Sequence, residues 1–223
     1  MFNNLRKILG NIAKRFFDII CSLLGLIILA PFFIIIAILT KSTTHGPIFF
    51  KQVRVGRYGR EFSIHKFRTM IADAESIGPH ITIGNDSRIT PIGQFLRKTK
   101  LDELPQLIDV LQGNMSLVGP RPEVPEYVKI YPQEIKNIVL SVRPGITDWA
   151  SIKMIDESLV LAKANDPKQL YIDKILPEKL AYAVKYVKTR SFLTDVIIIF
   201  ITIGKVLNKL IKLSTYFNSG RTH

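Results

Sequence analysis

The longest apolar stretch of the chain lies close to its N-terminus. Residues 19–39 read IICSLLGLIILAPFFIIIAIL, where only Ser22, Gly25 and Pro31 interrupt the apolar character and no residue is charged. A helix of that length extends about 31 Å, which is enough to cross the hydrocarbon core of a bilayer. The stretch is too long for a secretory signal peptide, and no small-residue cleavage site precedes Lys41. The pattern therefore predicts a membrane helix, in the simplest case a plain anchor.

The charges on either side of this stretch oppose a simple span. Basic residues flank it on both sides: Arg6, Lys7, Lys14 and Arg15 before it, and Lys41, Lys51, Arg54, Arg57 and Arg60 after it. Because positive residues mark the cytoplasmic side, both flanks prefer the same face of the membrane. Pro31 removes a backbone hydrogen bond in the middle of the stretch and favours a kink. Length favours a straight span and charge favours a segment that enters and returns, so both remain open here.

Two strand-like segments follow and predict a β-hairpin. Residues 48–55 and 60–68 flank the turn sequence Gly-Arg-Tyr-Gly at 56–59. A period of two places four residues of the second strand on one face: Phe62, Ile64, Lys66 and Arg68. The two cations on that face could bind a phosphate, snorkel at a membrane surface, or remain solvated.

The central part of the chain alternates between loop and helix. Residues 77–90 are rich in Gly, Pro, Asn, Asp, Ser and Thr and predict a loop. Residues 92–99 favour a helix that includes Arg97. Residues 101–111 (LDELPQLIDVL) place apolar side chains at helical spacing and predict a second helix. Pro105 must lie in its first turn, where a missing N–H does no harm.

An acidic pair, Asp102 and Glu103, therefore falls at the start of the second helix. The first N–H groups and the helix dipole favour anions at this position. A phosphate can dock there, and an aspartate can stay ionised as a nucleophile. The alternative is that Asp102 only caps the helix.

Two arginines lie in proline-rich segments further along. Arg121 has prolines on both sides in NMSLVGPRPEVP, which stiffens its backbone, and Arg143 precedes Pro-Gly in a second turn of this kind. A preset arginine suits bidentate recognition of an oxyanion. An ordinary rigid loop with an exposed arginine is the alternative.

The C-terminal part predicts an amphipathic helix over residues 192–213. Its uncharged core, residues 196–204, is too short to span a bilayer. Lys205, Lys209 and Lys212 share one face, so the helix suits an anionic membrane interface. A core helix with a water-facing lysine stripe is the alternative.

Composition narrows the classes of function. The chain has 223 residues and a net charge of +13, which suits a polyanionic partner, and 47% apolar residues, which excludes a disordered basic tail. The single cysteine, Cys21, allows no internal disulfide, and the four histidines lack metal-ligand spacing. A membrane-tethered nucleic-acid-binding protein would fit the charge, but no zinc-finger, RNP-type or basic-zipper pattern occurs. A non-catalytic membrane scaffold is a second rival, and the acidic pair argues weakly against it.

The motifs taken in order resemble those of the monotopic phosphoglycosyl transferases. These bacterial sugar transferases start polysaccharide and glycoconjugate assembly on undecaprenyl phosphate. The matching segments are Lys14–Asp18, the proline-containing apolar helix, Gly46–Gly59, Lys66–Met70, Leu96–Thr99, Leu101–Gln106, Met115–Pro122 and Arg143–Thr147. Each motif alone is weak, but the ordered series is very specific.

The resemblance implies an α+β fold with a small, mainly helical catalytic domain and a β-hairpin. It implies a re-entrant membrane helix broken at Pro31 within residues 1–40, a catalytic domain over 41–190, and an amphipathic membrane-associated segment over 191–223. The domain would lie on the cytoplasmic face of the bacterial inner membrane. A homodimer is compatible with this arrangement.

The resemblance also implies a mechanism with named residues. Asp102 would attack a UDP-sugar, release UMP and pass the sugar phosphate to undecaprenyl phosphate. Glu103 would hold Mg²⁺ on the diphosphate or act as a base. The phosphate-binding residues would be Arg97, Arg121 and Arg143, with Lys66 and Arg68 near the lipid phosphate. The expected partners are the donor, the acceptor and membrane lipids, without nucleic acid.

The sequence departs from the family pattern in one place. After Pro144–Thr147 the family has a glycine and then a Gly-Arg-Asn element, whereas this chain has residues 148–157, DWASIKMIDE. This region is expected to help choose the sugar, so the sugar stays open.

Overall fold

The structure is a computed structural model that describes residues 2–72, 74 and 86–219. For residues 2–8 and 213–219 only the backbone is described. The predicted loop at 77–90 lies outside the described residues as far as residue 85. The chain is mostly helical, with an antiparallel and a parallel pair of strands, which agrees with an α+β fold.

The N-terminal apolar stretch forms one long helix, α1 (Phe2–Thr43). Within it, Leu9–Thr43 is the one segment of the described chain that is long and apolar enough to cross a membrane. The helix continues through Pro31 without interruption. The re-entrant path that was expected to follow from a break at Pro31 stays a prediction.

One face of α1 packs against the rest of the domain, and the opposite face is exposed and apolar. Asp18, Ser22, Ile36 and Thr40 are buried at helical spacing. Phe33 on this face meets Phe67 edge to face, with 5.2 Å between ring centroids. The contact face is therefore partly polar, and the remaining apolar surface lacks a partner within the described chain.

The predicted hairpin is confirmed. Strands β1 (Phe49–Val55) and β2 (Glu61–Phe67) pair in antiparallel register from Phe49 opposite Phe67 to Val55 opposite Glu61. A one-turn 3-10 helix at Arg57–Gly59 closes the turn. Ile64, buried beneath the hairpin, packs with Val110 and Met115.

The two central helices are confirmed with a shifted boundary. Helix α2 (Pro91–Thr99) is capped by the Thr90 hydroxyl, which accepts from the Gly93 N–H at 3.0 Å. Helix α3 (Gln106–Gln112) begins later than predicted, after a 3-10 turn at Leu101–Glu103. Pro105 has no N–H for an α-helical hydrogen bond, so the chain is 3-10 up to that point.

A parallel strand pair, which the sequence did not predict, joins the two proline-rich segments. Strand β3 (Ser116–Val118) pairs with β4 (Gly145–Thr147). A Cβ on Gly119 would lie 2.5 Å from the Arg143 carbonyl oxygen, so only glycine permits this approach. The pair fixes the position of the loop that follows β3.

The second half of the domain is helical. Its helices are α4 (Pro125–Lys129), α5 (Gln133–Val139), α6 (Trp149–Lys153), α7 (Glu157–Leu161), α8 (Pro167–Leu170), a π-helical turn at Tyr171–Ile175, and α9 (Leu176–Thr189). They enclose the largest apolar core of the described chain, which includes Tyr127, Val128, Val139, Ile175, Leu176 and Leu180. Val55 of the hairpin packs into this core.

The C-terminal helix α10 (Phe192–Ser219) is confirmed, but two of its three predicted surface lysines contact the domain, while Lys212 is exposed. Lys205 donates to the Ile152 carbonyl, and Lys209 lies 3.3 Å from Asp156. The lysine side of α10 therefore contacts the domain, because carbonyl and carboxylate acceptors lie there. Exposed apolar residues occupy other positions, including Leu193, Phe200 and Leu207. Membrane association of this segment, and the three-part domain division, stay predictions.

Candidate active site

The acidic pair lies in a tight turn between two helices. Lys100 ends α2 with a left-handed backbone, φ 63°, and the chain then forms the 3-10 turn Leu101–Glu103. Both Asp102 and Glu103 are only 8% exposed. Two adjacent carboxylates are thus buried just before α3, where a negative charge is costly unless it is compensated.

Glu103 is compensated directly by two cations. Its Oε2 accepts from Nη1 of Arg121 at 2.9 Å, and its Oε1 accepts from Nη2 of the same guanidinium. Lys66 Nζ donates to Oε1 at 3.1 Å. Burial alone would raise the pKa of Glu103, but the charges of Arg121 and Lys66 outweigh burial and hold that pKa well below its usual value. Glu103 is therefore ionised and a very weak base at neutral pH.

Asp102 lies in a different environment. Its Oδ1 is buried and has no hydrogen-bond partner among the described residues. Burial, and then the negative charge of Glu103, raise the pKa of Asp102 to about 6. Nearby cations oppose this increase only in part: Lys66, Lys100 and Arg97. At neutral pH Asp102 is mostly ionised, and an ionised carboxylate can act as a nucleophile.

Arg121 is held in place by its backbone as well as by Glu103. Its N–H donates to Oδ2 of Asp148 at 3.3 Å, and Asp148 also caps α6 by accepting from the Ser151 N–H at 2.7 Å. The close β3–β4 contact at Gly119 fixes the start of the loop that includes Arg121. The guanidinium is thus preset, as the flanking prolines predicted.

Two more of the predicted phosphate ligands lie beside the acidic pair. Burial lowers the pKa of Lys66, although the charge of Glu103 opposes that shift. Burial also lowers the pKa of Arg97, and Asp102 is the strongest opposing charge. Within the described chain Arg97 forms no ion pair. Lys66, Arg97 and Arg121 therefore surround the acidic pair with positive charge.

Arg68 is not part of this cluster. Its Nη1 donates to the His45 carbonyl at 2.6 Å, and its Nη2 donates to the Thr44 carbonyl at 2.8 Å. The strand ends at Phe67, so the alternation that placed Arg68 on the face of Lys66 does not continue. Arg68 stabilises the C-terminal end of α1, and its geometry gives no support to a phosphate-binding role.

Arg143 is also placed elsewhere. Its Nε donates to the Gly113 carbonyl at 2.9 Å, just beyond the C-terminal end of α3. The acidic pair lies at the other end of the same helix. The proline-rich context correctly indicated a fixed arginine, but it could not indicate which end of α3 that arginine meets.

Sequence reasoning missed three residues around the cluster. Arg54 on β1 lies 3.6 Å from Glu123 and donates to the Pro122 carbonyl at 3.1 Å, which ties the Arg121 loop to the hairpin. Gln106 is fully buried, and neither of its amide atoms has a hydrogen-bond partner among the described residues. Asp148 was assigned only to the atypical region. Only Arg54 had a signal in the sequence, because it is a cation within a predicted strand. That signal was weak.

In the described structure Glu103, the predicted magnesium ligand, is already engaged by cations. Both of its carboxylate oxygens are engaged by cations. Among the residues that the structure describes, no group of three carboxylate, histidine or cysteine side chains could hold an ion. Mg²⁺ in such enzymes often binds one or two carboxylates together with substrate phosphates. The metal role of Glu103 stays a prediction that the geometry does not favour.

Comparison with known proteins identifies the family. The model of the bacterial sugar transferase family matches residues 9–209. The chain is 36% identical over 196 residues to a UDP-N-acetylgalactosamine-undecaprenyl-phosphate N-acetylgalactosaminephosphotransferase of Aeromonas hydrophila, covering 87% of this chain and 43% of that protein. It is 35% identical over 200 residues to a UDP-glucose:undecaprenyl-phosphate glucose-1-phosphate transferase of Escherichia coli, covering 88% of this chain and 40% of that protein.

A shorter relative matches over most of its own length. The exopolysaccharide production protein ExoY of Sinorhizobium fredii is 33% identical over 214 residues, covering 89% of this chain and 87% of that protein. The chain belongs to the bacterial sugar transferase family. It spans about two fifths of the length of the first two relatives.

Proposed function

We propose that this protein transfers a sugar 1-phosphate from a UDP-sugar to undecaprenyl phosphate and releases UMP. The observation that carries the proposal is the buried, unpartnered Oδ1 of Asp102 beside a Glu103 that holds Arg121 and Lys66. The family membership and the names of the relatives support the class of donor and acceptor.

The reaction divides into two displacements at one phosphorus. In the first, a carboxylate oxygen of Asp102 forms a bond to the β-phosphorus of the donor while the bond from that phosphorus to the bridging oxygen breaks, and UMP leaves with the electron pair. In the second, a phosphate oxygen of undecaprenyl phosphate attacks the same phosphorus, and the Asp102 carboxylate is released. Division into two steps lets one site serve a soluble donor and a lipid acceptor in turn.

The surrounding cations stabilise negative charge at the reacting phosphorus. Arg121 presents a preset guanidinium, and Lys66 and Arg97 supply further charge in a buried setting where electrostatic interactions are strong. Glu103 orients Arg121 and Lys66 through its two carboxylate oxygens. It is thus a positioning residue in this proposal, since its low pKa makes it a poor base.

Magnesium belongs to the proposal only as an ion that accompanies the donor diphosphate. Such an ion neutralises part of the diphosphate charge when it is bound. The residues present do not provide a cage for it, and no step depends on a protein ligand to the ion.

The contacts of α1 support a monotopic arrangement, with both flanks on the cytoplasmic face of the inner membrane. Lys14, before the apolar stretch, donates to the Val118 carbonyl at 3.1 Å. Arg68 binds the carbonyls after it. A helix that crossed the bilayer would have to release the domain at one of these ends.

Cysteine labelling tests this topology. In a Cys21→Ser background, cysteines at positions 5 and 43 should both react only with reagent on the cytoplasmic side. Pro31→Leu should let the N-terminus cross in some molecules and lower activity. Periplasmic labelling of position 5 with Pro31 intact would establish an ordinary span.

UMP release across a panel of UDP-sugars tests the function itself. The protein in membranes or neutral detergent should release UMP with at least one sugar, and undecaprenyl phosphate should be required for continuous turnover. The same panel identifies the sugar, which residues 148–157 are expected to influence because Asp148 binds the Arg121 backbone. Salt-sensitive DNA binding without UMP release from any donor would favour the nucleic-acid-binding alternative.

A further inference from the structure

A second polar pocket lies at the far end of α3. It is an open pocket between the N-terminal part of α1, the hairpin turn and the residues before α10. Its only acidic lining residue is Asp18. Five cations line it: Lys14, Arg15, Arg57, Arg143 and Arg190.

The acidic groups near this pocket already have partners. Asp18 accepts from the Ser116 hydroxyl at 2.8 Å and from the Leu117 N–H at 3.2 Å. Asp195 pairs with Lys14 and accepts from the Tyr186 hydroxyl at 2.7 Å. The charge of Lys14 is therefore compensated by Asp195, whereas these contacts do not involve the four arginines.

Among the residues that the structure describes, the four arginines donate only to neutral acceptors. Arg15 binds the carbonyls of Val110 and Leu111, and Arg143 binds that of Gly113. Arg57 binds the Ser141 carbonyl, and Arg190 the side-chain oxygen of Asn11. None of the four forms an ion pair within the described chain.

Unpaired guanidinium groups around one pocket repel each other, and an anion would relieve that repulsion. Burial, and then the charges of Arg15 and Arg57, lower the pKa of Arg143. Guanidinium groups match phosphate oxygens in shape and bind them in bidentate geometry. The pocket is therefore suited to a phosphate group.

The segments that line the pocket also have exposed apolar side chains. In the same segment of α1, Leu9, Ile12 and Phe16 are exposed on a different face of the helix from the pocket residues. Leu193, which is 68% exposed, lies in the first turn of α10, three residues after Arg190. A phosphate site next to apolar surfaces matches a lipid, whose headgroup is charged and whose chains are not.

This site is separate from the acidic pair. Helix α3 has seven residues and separates the two by about 10 Å or more, at 1.5 Å rise per residue. A phosphate bound here is too far from Asp102 to react, because reacting atoms must approach to roughly 3–3.5 Å.

We propose that this pocket binds the phosphate headgroup of an anionic membrane phospholipid and so fixes the domain on the bilayer beside α1 and α10. The site is independent of the donor and acceptor, and it does not depend on the proposed reaction.

Lipid-dependent thermal stability of the full chain in neutral detergent tests the proposal. Phosphatidylglycerol should raise the unfolding temperature in a saturable manner, whereas phosphatidylcholine should not. Arg57→Gln combined with Arg190→Gln should weaken the apparent affinity for phosphatidylglycerol at least tenfold. The matched control removes the same charge at exposed lysines elsewhere, with Lys129→Gln and Lys163→Gln, and should retain the wild-type response.

Three results would overturn the proposal. The first is an unchanged lipid response in the arginine double variant. The second is an equal loss in the lysine control, which would indicate a diffuse charge effect. The third is an equal stabilisation by inorganic phosphate at the same concentration, which would assign the pocket to a free anion. If the double variant is less stable without lipid, Arg190→Gln alone, compared in the same way, decides between these outcomes.

Discussion

Basic side chains surround both ends of helix α3, but only at the N-terminal end is an arginine paired with an acidic residue of the described chain. At the N-terminal end, Arg121 and Lys66 are paired with Glu103, and Asp102 keeps an unpartnered carboxylate oxygen. At the C-terminal end, Arg15 and Arg143 bind main-chain carbonyls and have no acidic partner in the described chain. One end holds a reactive anion among oriented cations, and the other holds cations alone.

The difference shows that net positive charge does not by itself identify a phosphate-transfer site. Both ends suit phosphate, but only the end with Asp102 contains a group that can form a bond to phosphorus. An ion pair fixes the orientation of a cationic side chain. A cation bound only to carbonyls has no neutralising partner, so its charge remains available to an anionic ligand.

The largest effect is expected from Asp102→Asn. The amide keeps the size of the side chain but removes the nucleophilic oxygen, so UMP release should fall by about a thousandfold or more, roughly 4 kcal/mol of barrier. A matched control, Asp173→Asn on an exposed part of the π-helical turn, should keep wild-type activity. UMP release within tenfold of wild type would remove Asp102 from the nucleophile role.

The same variant should be more stable, not less, at pH 7.5. The folded-state pKa of Asp102, about 6, is above its ordinary value, so the folded state favours the protonated form. The stability from this preference is complete below about pH 4 and is lost as pH rises through about 6. Asp102→Asn should therefore raise the free energy of unfolding by on the order of 1–2 kcal/mol at pH 7.5, and this increase should vanish near pH 4.

Glu103→Gln separates orientation from metal binding. If Glu103 orients Arg121 and Lys66, kcat should fall about a hundredfold, roughly 2.7 kcal/mol, while the Mg²⁺ concentration for half-maximal activity stays the same. A magnesium titration of both proteins measures this. A large increase in that concentration for the variant would make Glu103 a metal ligand instead.

The pH dependence should follow the ionisation of Asp102. Because its pKa is about 6, UMP release should fall about tenfold per pH unit below 6 and level off above 7. Initial rates between pH 4.5 and 8 measure this, with intact fold verified at each pH. A rate that stays constant down to pH 5 contradicts an ionised Asp102 with a raised pKa.

The smallest effect is expected at the other end of α3. Arg57→Gln in neutral detergent, without anionic lipid, should change UMP release by less than about twofold, since Arg57 donates to the Ser141 carbonyl and lies over the Tyr58 ring, at the opposite end of α3 from the acidic pair. A large loss of UMP release under these conditions would indicate that both ends of α3 take part in the reaction.

Local patterns predicted the hairpin and the helices, but not the arrangement of the cations. The alternation of side chains along the second strand correctly placed Lys66 on the inward face. It did not predict the position of Arg68, because the strand ends at Phe67. The β3–β4 pair and the position of Arg143 depend on contacts between segments more than twenty residues apart, for which no local pattern exists. The lysine stripe on α10 was predicted as a surface, but its direction depends on acceptors such as the Ile152 carbonyl.

The central claim is that Asp102 bears the sugar phosphate before the lipid reacts. The most direct measurement is incubation of the full chain with a radiolabelled UDP-sugar that supports turnover, without undecaprenyl phosphate, followed by denaturation and peptide mapping. The account predicts about one equivalent of label on the peptide that contains Asp102, one equivalent of UMP, and loss of the label when undecaprenyl phosphate is added. Absence of an adduct in repeated trapping, together with kinetics that require donor and acceptor to bind at once, would contradict it.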